Sequence, residues 1–172
     1  LALQAVLNPP ATGKREKKHG DFSFREGDRV MQIRNNYDIL WKRCDDLGAG
    51  TGIFNGDIGT IARIDFEAEL VTIDFDDRRA EYSFDMLSEL EPAYAMTVHK
   101  SQGSEYRAVI LSAFSGSQLL LTRSVLYTAI TRARELFIIV GNEEVIAAMT
   151  RNDRQQRRYS GLKLRLEQGE PS

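Results

Sequence analysis

The sequence is poor in the residues that usually mark a metal centre or a secreted fold. It has one cysteine, Cys44, and two histidines, His19 and His99, so an internal disulfide is excluded and the common Cys/His zinc set cannot be assembled. Proline is scarce, and no apolar run approaches the roughly 18 residues of a membrane-spanning helix. No Gly-x-x-x-x-Gly-Lys-Ser/Thr stretch is present, so the loop that cradles nucleotide phosphates is missing. What remains, 42% hydrophobic and 28% charged residues, is the composition of a globular protein and not of a collagen, a coiled coil or a disordered chain. A reducing, cytoplasmic setting without a membrane partner is expected. Leu1 is not a methionine, and no basic-apolar leader follows it. The chain therefore reads as a piece of a longer protein, holding part of an active site.

Charge is unevenly placed. Residues 1–23 carry a net +2, residues 24–91 a net −8 and residues 92–172 a net +4. An acidic middle joined to a basic C-terminal part predicts two units with different surfaces, so the overall −2 says little about a polyanionic partner.

In the middle part, Phe24–Ile33, Gly59–Ile64, Leu70–Phe75 and Ala80–Phe84 alternate apolar and polar residues between Gly/Asp/Asn punctuation, the pattern of short strands in a small barrel. Phe22, Phe24, Phe66, Phe75, Tyr82 and Phe84 are expected to fill its core. The stretch from Arg34 to Gly52 is expected as a long loop, with Trp41, Lys42 and Arg43 as its one cluster suited to stacking and phosphate contact.

The C-terminal part changes period. Tyr106–Ala113 and Leu136–Val140 are continuous apolar runs of the kind buried on both faces of a parallel sheet. Between them Ser124–Arg134 has helical spacing, giving a strand-helix-strand crossover. Asn142, followed by Glu143 and Glu144, is a helix start in which the Asn side chain would cap free amides.

Two stretches carry the chemistry: Tyr94-Ala-Met-Thr-Val-His-Lys-Ser-Gln-Gly-Ser-Glu-Tyr106 and Leu126-Tyr-Thr-Ala-Ile-Thr-Arg-Ala-Arg134. They resemble motifs V and VI of superfamily 1 helicases, most closely the RecD/TraA branch. The segments Phe24–Tyr37 and Phe54–Gly59 resemble the SH3-like insertion of RecD-like helicases. The resemblance implies an α/β fold: a partial RecA-like (P-loop NTPase type) motor domain 2, residues 1–23 and 92–172, interrupted by a small SH3-like β-barrel, residues 24–91. The stretch Leu40–Gly52 is longer than this loop usually is in the family.

The resemblance implies the C-terminal part of an ATP-dependent DNA helicase like the exodeoxyribonuclease V alpha subunit, acting in DNA repair and recombination with 5′–3′ movement. ATP and Mg²⁺ belong to the intact protein, and the chain alone, without the first motor domain of the same polypeptide, is expected to bind neither and to hydrolyse nothing. Arg132 matches the arginine finger of motif VI, and a planar, permanently charged guanidinium suits the charge on a transferring phosphoryl group. Gly103 and Glu105 match nucleotide-binding positions of motif V, the carboxylate accepting from ribose hydroxyls. Thr97, His99, Lys100 and Ser101 match positions beside single-stranded DNA. Arg134, two residues after the finger, is expected to point elsewhere on the helix in a supporting role. Alternative readings are a conjugative relaxase-helicase, an RNA helicase motor, or a non-catalytic barrel adaptor that binds a protein partner.

Overall fold

The computed structural model describes residues 2–45, 48–114, 116 and 120–153. The chain divides into two compact units, Leu1–Lys100 and Ser101–Ser172.

The first unit opens with a short helix, α1 (Ala2–Leu7), and a hairpin of β1 (Glu16–His19) and β2 (Phe22–Arg25). Seven strands follow: β3 (Arg29–Gln32), β4 (Asn36–Arg43), β5 (Ala49–Ile53), β6 (Ile58–Asp65), β7 (Leu70–Phe75), β8 (Arg78–Ser83) and β9 (Leu90–Pro92), with a 3-10 turn at Phe84–Glu89 before the last. They form a curled antiparallel sheet in the order β5-β4-β8-β7-β6-β3-β9, consistent with an SH3-like half-barrel. Period-two patterning sets which face is buried. In β7, Val71, Ile73 and Phe75 are buried while Leu70, Thr72 and Asp74 are partly exposed. These join Phe24, Val30, Ile61, Ile64, Tyr82 and Leu87 in one apolar cluster, each large side chain contributing about 1.5–3 kcal/mol by leaving water.

Three sequence expectations need correction here. Of the aromatic residues expected in the core, Phe24, Phe75 and Tyr82 are buried but Phe22 and Phe66 are exposed. Phe24–Ile33 is not one strand but two, broken at Glu26–Asp28, where Gly27 takes a left-handed φ of 88°. The Arg34–Gly52 stretch is mostly a hairpin, β4 against β5, rather than a loop. Its second strand, Ala-Gly-Thr-Gly-Ile, has β-branched residues only at Thr51 and Ile53 and is otherwise glycine and alanine, a weak strand signal. The glycine is used sterically: Gly50 lies opposite Trp41, and a Cβ there would sit 2.5 Å from the indole Cζ2.

A buried carboxylate ties the ends of this unit together. Asp28 is 1% exposed. It accepts hydrogen bonds from Gln4 Nε2 (2.6 Å), Asn8 Nδ2 (2.6 Å), the Arg25 amide (2.7 Å) and the Tyr94 hydroxyl (2.7 Å). Four donors from four points of the chain offset the cost of burying that charge.

The second unit has two parallel strands, β10 (Tyr106–Ala113) and β11 (Ala133–Gly141), joined through α2 (Arg123–Ile130) and followed by α3 (Glu143–Arg151). Thr122 caps α2, its Oγ1 accepting from the Val125 amide at 3.3 Å. Asn142 stands at the start of α3 as the sequence suggests, but its side chain makes no capping bond. The helical reading of Ser124–Arg134 runs four residues too far: α2 stops at Ile130, and Ala133 and Arg134 already belong to β11. The two strands are also less covered than their apolar runs suggest, with Ile110 and Leu136 exposed and only Ala113 buried among them.

Candidate nucleotide and nucleic-acid site

Motif VI and the end of motif V meet in the second unit. The Arg132 amide closes the last turn of α2 on the Ala129 carbonyl (3.2 Å), and the Arg132 carbonyl accepts from the Tyr106 amide (2.8 Å) where β10 and β11 begin. This backbone register brings the Arg132 guanidinium to motif V. Nη1 donates to the Ser104 carbonyl at 2.9 Å, Nε to the Thr128 carbonyl at 3.3 Å and Nη2 to Thr131 Oγ1 at 3.3 Å. The Thr128 carbonyl, at the C-terminus of α2 where a cation is favoured, accepts from both Thr131 Oγ1 (3.0 Å) and Arg132 Nε.

Ser104 is flanked by the other two candidates. Gly103 has a φ of 88°, and nothing lies within 4 Å of where its Cβ would be, so backbone conformation rather than crowding calls for glycine. Glu105 is about half exposed, and its Oε2 accepts from Arg134 Nε at 2.7 Å. Gly103, Glu105 and Arg132 are therefore brought together on consecutive links. Arg134 is not on a helix pointing away but on β11, holding the Glu105 carboxylate. That role was missed because a helical continuation through Ala133 hides the start of a strand.

The DNA-contact candidates fall on either side of the unit boundary. In the first unit, Lys100 Nζ donates to Glu91 Oε2 at 2.6 Å, and the Lys100 amide donates to Thr97 Oγ1 at 3.3 Å. Both residues line a cavity of about 230 Å³ with Met31, Glu91, Pro92 and Met96. His99 is exposed. In the second unit Ser101 is buried, and its carbonyl accepts from the Ser104 amide at 3.2 Å. Glu91 as the partner of Lys100 had no sequence signal, because the two carry no motif in common.

On the barrel, the Trp41 ring packs across Gly50 and against the core, with the Arg78 guanidinium 5.7 Å from its centroid. Its Nε1 is buried without a hydrogen-bond partner. Lys42 is exposed, and Arg43 pairs with Asp45 (3.2 Å) and Asp77 (3.6 Å), the hydrogen bond to Asp45 being the main cause of a raised guanidinium pKa. Among the described residues no cluster of three His, Cys, Asp or Glu could hold a metal ion, and no helix is long and apolar enough to cross a membrane.

Comparison with known proteins fits both halves. Residues 1–75 match the model of the SH3 domain of ATP-dependent RecD-like DNA helicases, and residues 92–140 match that of the UvrD-like helicase C-terminal domain. The chain is similar to the ATP-dependent RecD2 DNA helicase of Deinococcus radiodurans, 34% identical over 155 residues that cover 88% of this chain and 19% of that protein. It is similar also to the RecBCD enzyme subunit RecD of Mycolicibacterium smegmatis, 37% identical over 118 residues, 68% of this chain and 20% of that one. The chain thus spans about a fifth of the length of these curated relatives. A solved structure from work on DNA unwinding at forked double-stranded DNA by two coordinating Pif1 helicases aligns at a TM-score of 0.49 and 17% identity, over 93% of this chain and 39% of that one.

Proposed function

From the membership of this chain in the RecD-like helicase family, we propose that it is the C-terminal part of an ATP-dependent DNA helicase, contributing an arginine finger and single-strand contacts to 5′–3′ translocation and unwinding. In this reading residues 1–23 and 92–172 form part of a RecA-like second motor domain, and residues 24–91 are its SH3-like insertion. The observation that supports it most is the hydrogen bond from Arg132 Nη1 to the Ser104 carbonyl, between Gly103 and Glu105, because it gathers the candidates of two separate motifs at one place.

The chemistry fits ATP. Glu105 can accept ribose hydroxyls, the open backbone at Gly103 lets a ligand approach closely, and Arg132 can leave its carbonyl partners for the more strongly negative γ-phosphate. ATP with Mg²⁺ supplies the phosphoryl group and part of its charge neutralisation; this chain offers no acidic cluster for the metal among its described residues. Arg132 then stabilises charge that develops only as the bond to the leaving group breaks. Thr97, His99, Lys100 and Ser101 hold the strand, with Lys100 exchanging Glu91 for a phosphate oxygen.

The test is Arg132→Ala in the intact protein. Because fingers in related phosphoryl transfer are worth about 10³–10⁵ in rate, turnover should drop by orders of magnitude while nucleotide affinity changes little. Near-normal turnover would reject the assignment. Magnesium-dependent ATPase activity from the 172-residue chain alone would equally reject a site completed elsewhere.

A further inference from the structure

We propose that Arg134 is a positioning residue for Glu105, fixing its carboxylate so that the site reads the sugar of the nucleotide. The inference rests on the proposed nucleotide site and adds to it a residue that the motif resemblance leaves without a specific task.

A glutamate with about half of its side chain exposed is a poor recognition element by itself, because its free rotamers carry entropy that a bound ligand must remove. Glu105 also follows directly on the turn at Gly103 and Ser104, so its backbone is not held in a helix. Three contacts offset this. The Tyr106 amide bonds the Arg132 carbonyl (2.8 Å), Arg132 Nη1 bonds the Ser104 carbonyl (2.9 Å), and Arg134 Nε bonds Glu105 Oε2 (2.7 Å). The backbone on either side of Glu105 is pinned by Arg132, and the side chain by Arg134.

The division of atoms is informative. Arg134 uses Nε on Oε2 and leaves Oε1 without a partner among the described residues. Oε1 is then the atom available to accept a ribose hydroxyl. Arg134 itself stands on β11 in the irregular step between the paired residues Ala133 and Leu136, the kind of bulge that re-aims a side chain. A purely structural role is a weak explanation. Exposed pairs contribute little to stability, and the neighbouring pair of Arg107 with Glu135, bidentate at 3.1 Å between β10 and β11, already ties those strands together.

The experiment uses the intact helicase and steady-state ATPase kinetics with ATP, 2′-deoxyATP and 3′-deoxyATP. Glu105→Gln should raise KM for ATP and reduce the preference for the complete ribose, since a neutral amide oxygen accepts more weakly than a carboxylate, and Glu105→Ala should abolish it. Arg134→Ala should do the same in part, raising KM by about three- to tenfold with kcat within about twofold, since ground-state positioning affects binding more than the chemical step. In the Glu105→Ala background, Arg134→Ala should add nothing, the signature of two residues acting as one unit. Arg134→Lys should recover part of the loss, keeping the charge without the in-plane Nε–H. Arg107→Ala is the control, and should leave every parameter unchanged. If Glu105→Ala removes sugar preference and Arg134→Ala does not reduce it, the positioning inference is overturned and the nucleotide site stands. If Glu105→Ala leaves sugar preference intact, the ribose reading is overturned and the inference with it. A kcat reduced by orders of magnitude in Arg134→Ala at unchanged KM would make Arg134 catalytic and not positioning.

Discussion

Lys100 and Glu91 form an ion pair of 2.6 Å in which the two side chains are 38% and 40% exposed. The pair holds Lys100 in competition with any phosphate that approaches it. Screening by solvent limits its strength to about 0–1 kcal/mol, whereas a phosphate contact also gains from counterion release.

Glu91→Gln in the intact protein is therefore expected to tighten single-strand binding, by at most about fivefold given that strength. Lys100→Ala should weaken binding and reduce the log-log salt slope by about 0.7, the share of one phosphate on a single strand. Fluorescence anisotropy across a salt series measures both. An unchanged slope in Lys100→Ala would return this lysine to an ordinary surface role.

The hydroxyl of Tyr94 should appear in the alkaline stability of the chain. Burial, then the hydrogen bond and charge of Asp28, push its pKa up to about 12, above the ordinary value of about 10 for tyrosine. The folded state therefore keeps this proton more tightly than the unfolded state. Its stabilisation is complete below about pH 10 and is lost as pH rises through 12. Tyr94→Phe should be less stable near neutrality by about 1.5–3 kcal/mol, one hydrogen bond to a charged acceptor, and its urea midpoint should decline less steeply between pH 10 and 12. Tyr82, also pushed up by burial, is common to both proteins and does not enter the comparison.

Gly50 and Trp41 give a prediction that separates packing from DNA contact. Gly50→Ala places a methyl group 2.5 Å from the indole and should cost about 1–3 kcal/mol as overpacking, read from denaturant midpoints at unchanged slope. Trp41→Ala in the intact protein should impair unwinding more than ATP hydrolysis if the hairpin guides the strand. Equal unwinding and single-strand affinity in wild type and Trp41→Ala would leave the ring as packing alone and favour a protein partner for the barrel.

Legibility from sequence followed the physics of each element. The strands β6, β7 and β8 announce themselves, because half-buried strands alternate with period two and Val71, Ile73 and Phe75 keep that alternation strictly. The β4-β5 hairpin does not. Its second strand is chosen for smallness opposite Trp41, a tertiary requirement that leaves no periodic trace. For the candidate site, Gly103, Glu105 and Arg132 were recognisable as members of motifs, yet the contact among them arises from the parallel pairing of Tyr106 with Ala133. Arg134 was misplaced for a related reason. The apolar spacing of α2 runs on through Ala133, while the turn at Thr131 and Arg132 is set by hydrogen bonds to Tyr127 and Ala129 that spacing does not encode.

The Asp28 network has an architectural consequence. Asn8, near the start of the first unit, and Tyr94, near its end, both donate to the same oxygen, Asp28 Oδ1. The chain therefore enters and leaves the barrel at nearly the same spot. A segment closed in this way at its base is a cassette. The polypeptide between Asn8 and Tyr94 is thus a long excursion whose two ends meet at one carboxylate, a gap that a short linker would span.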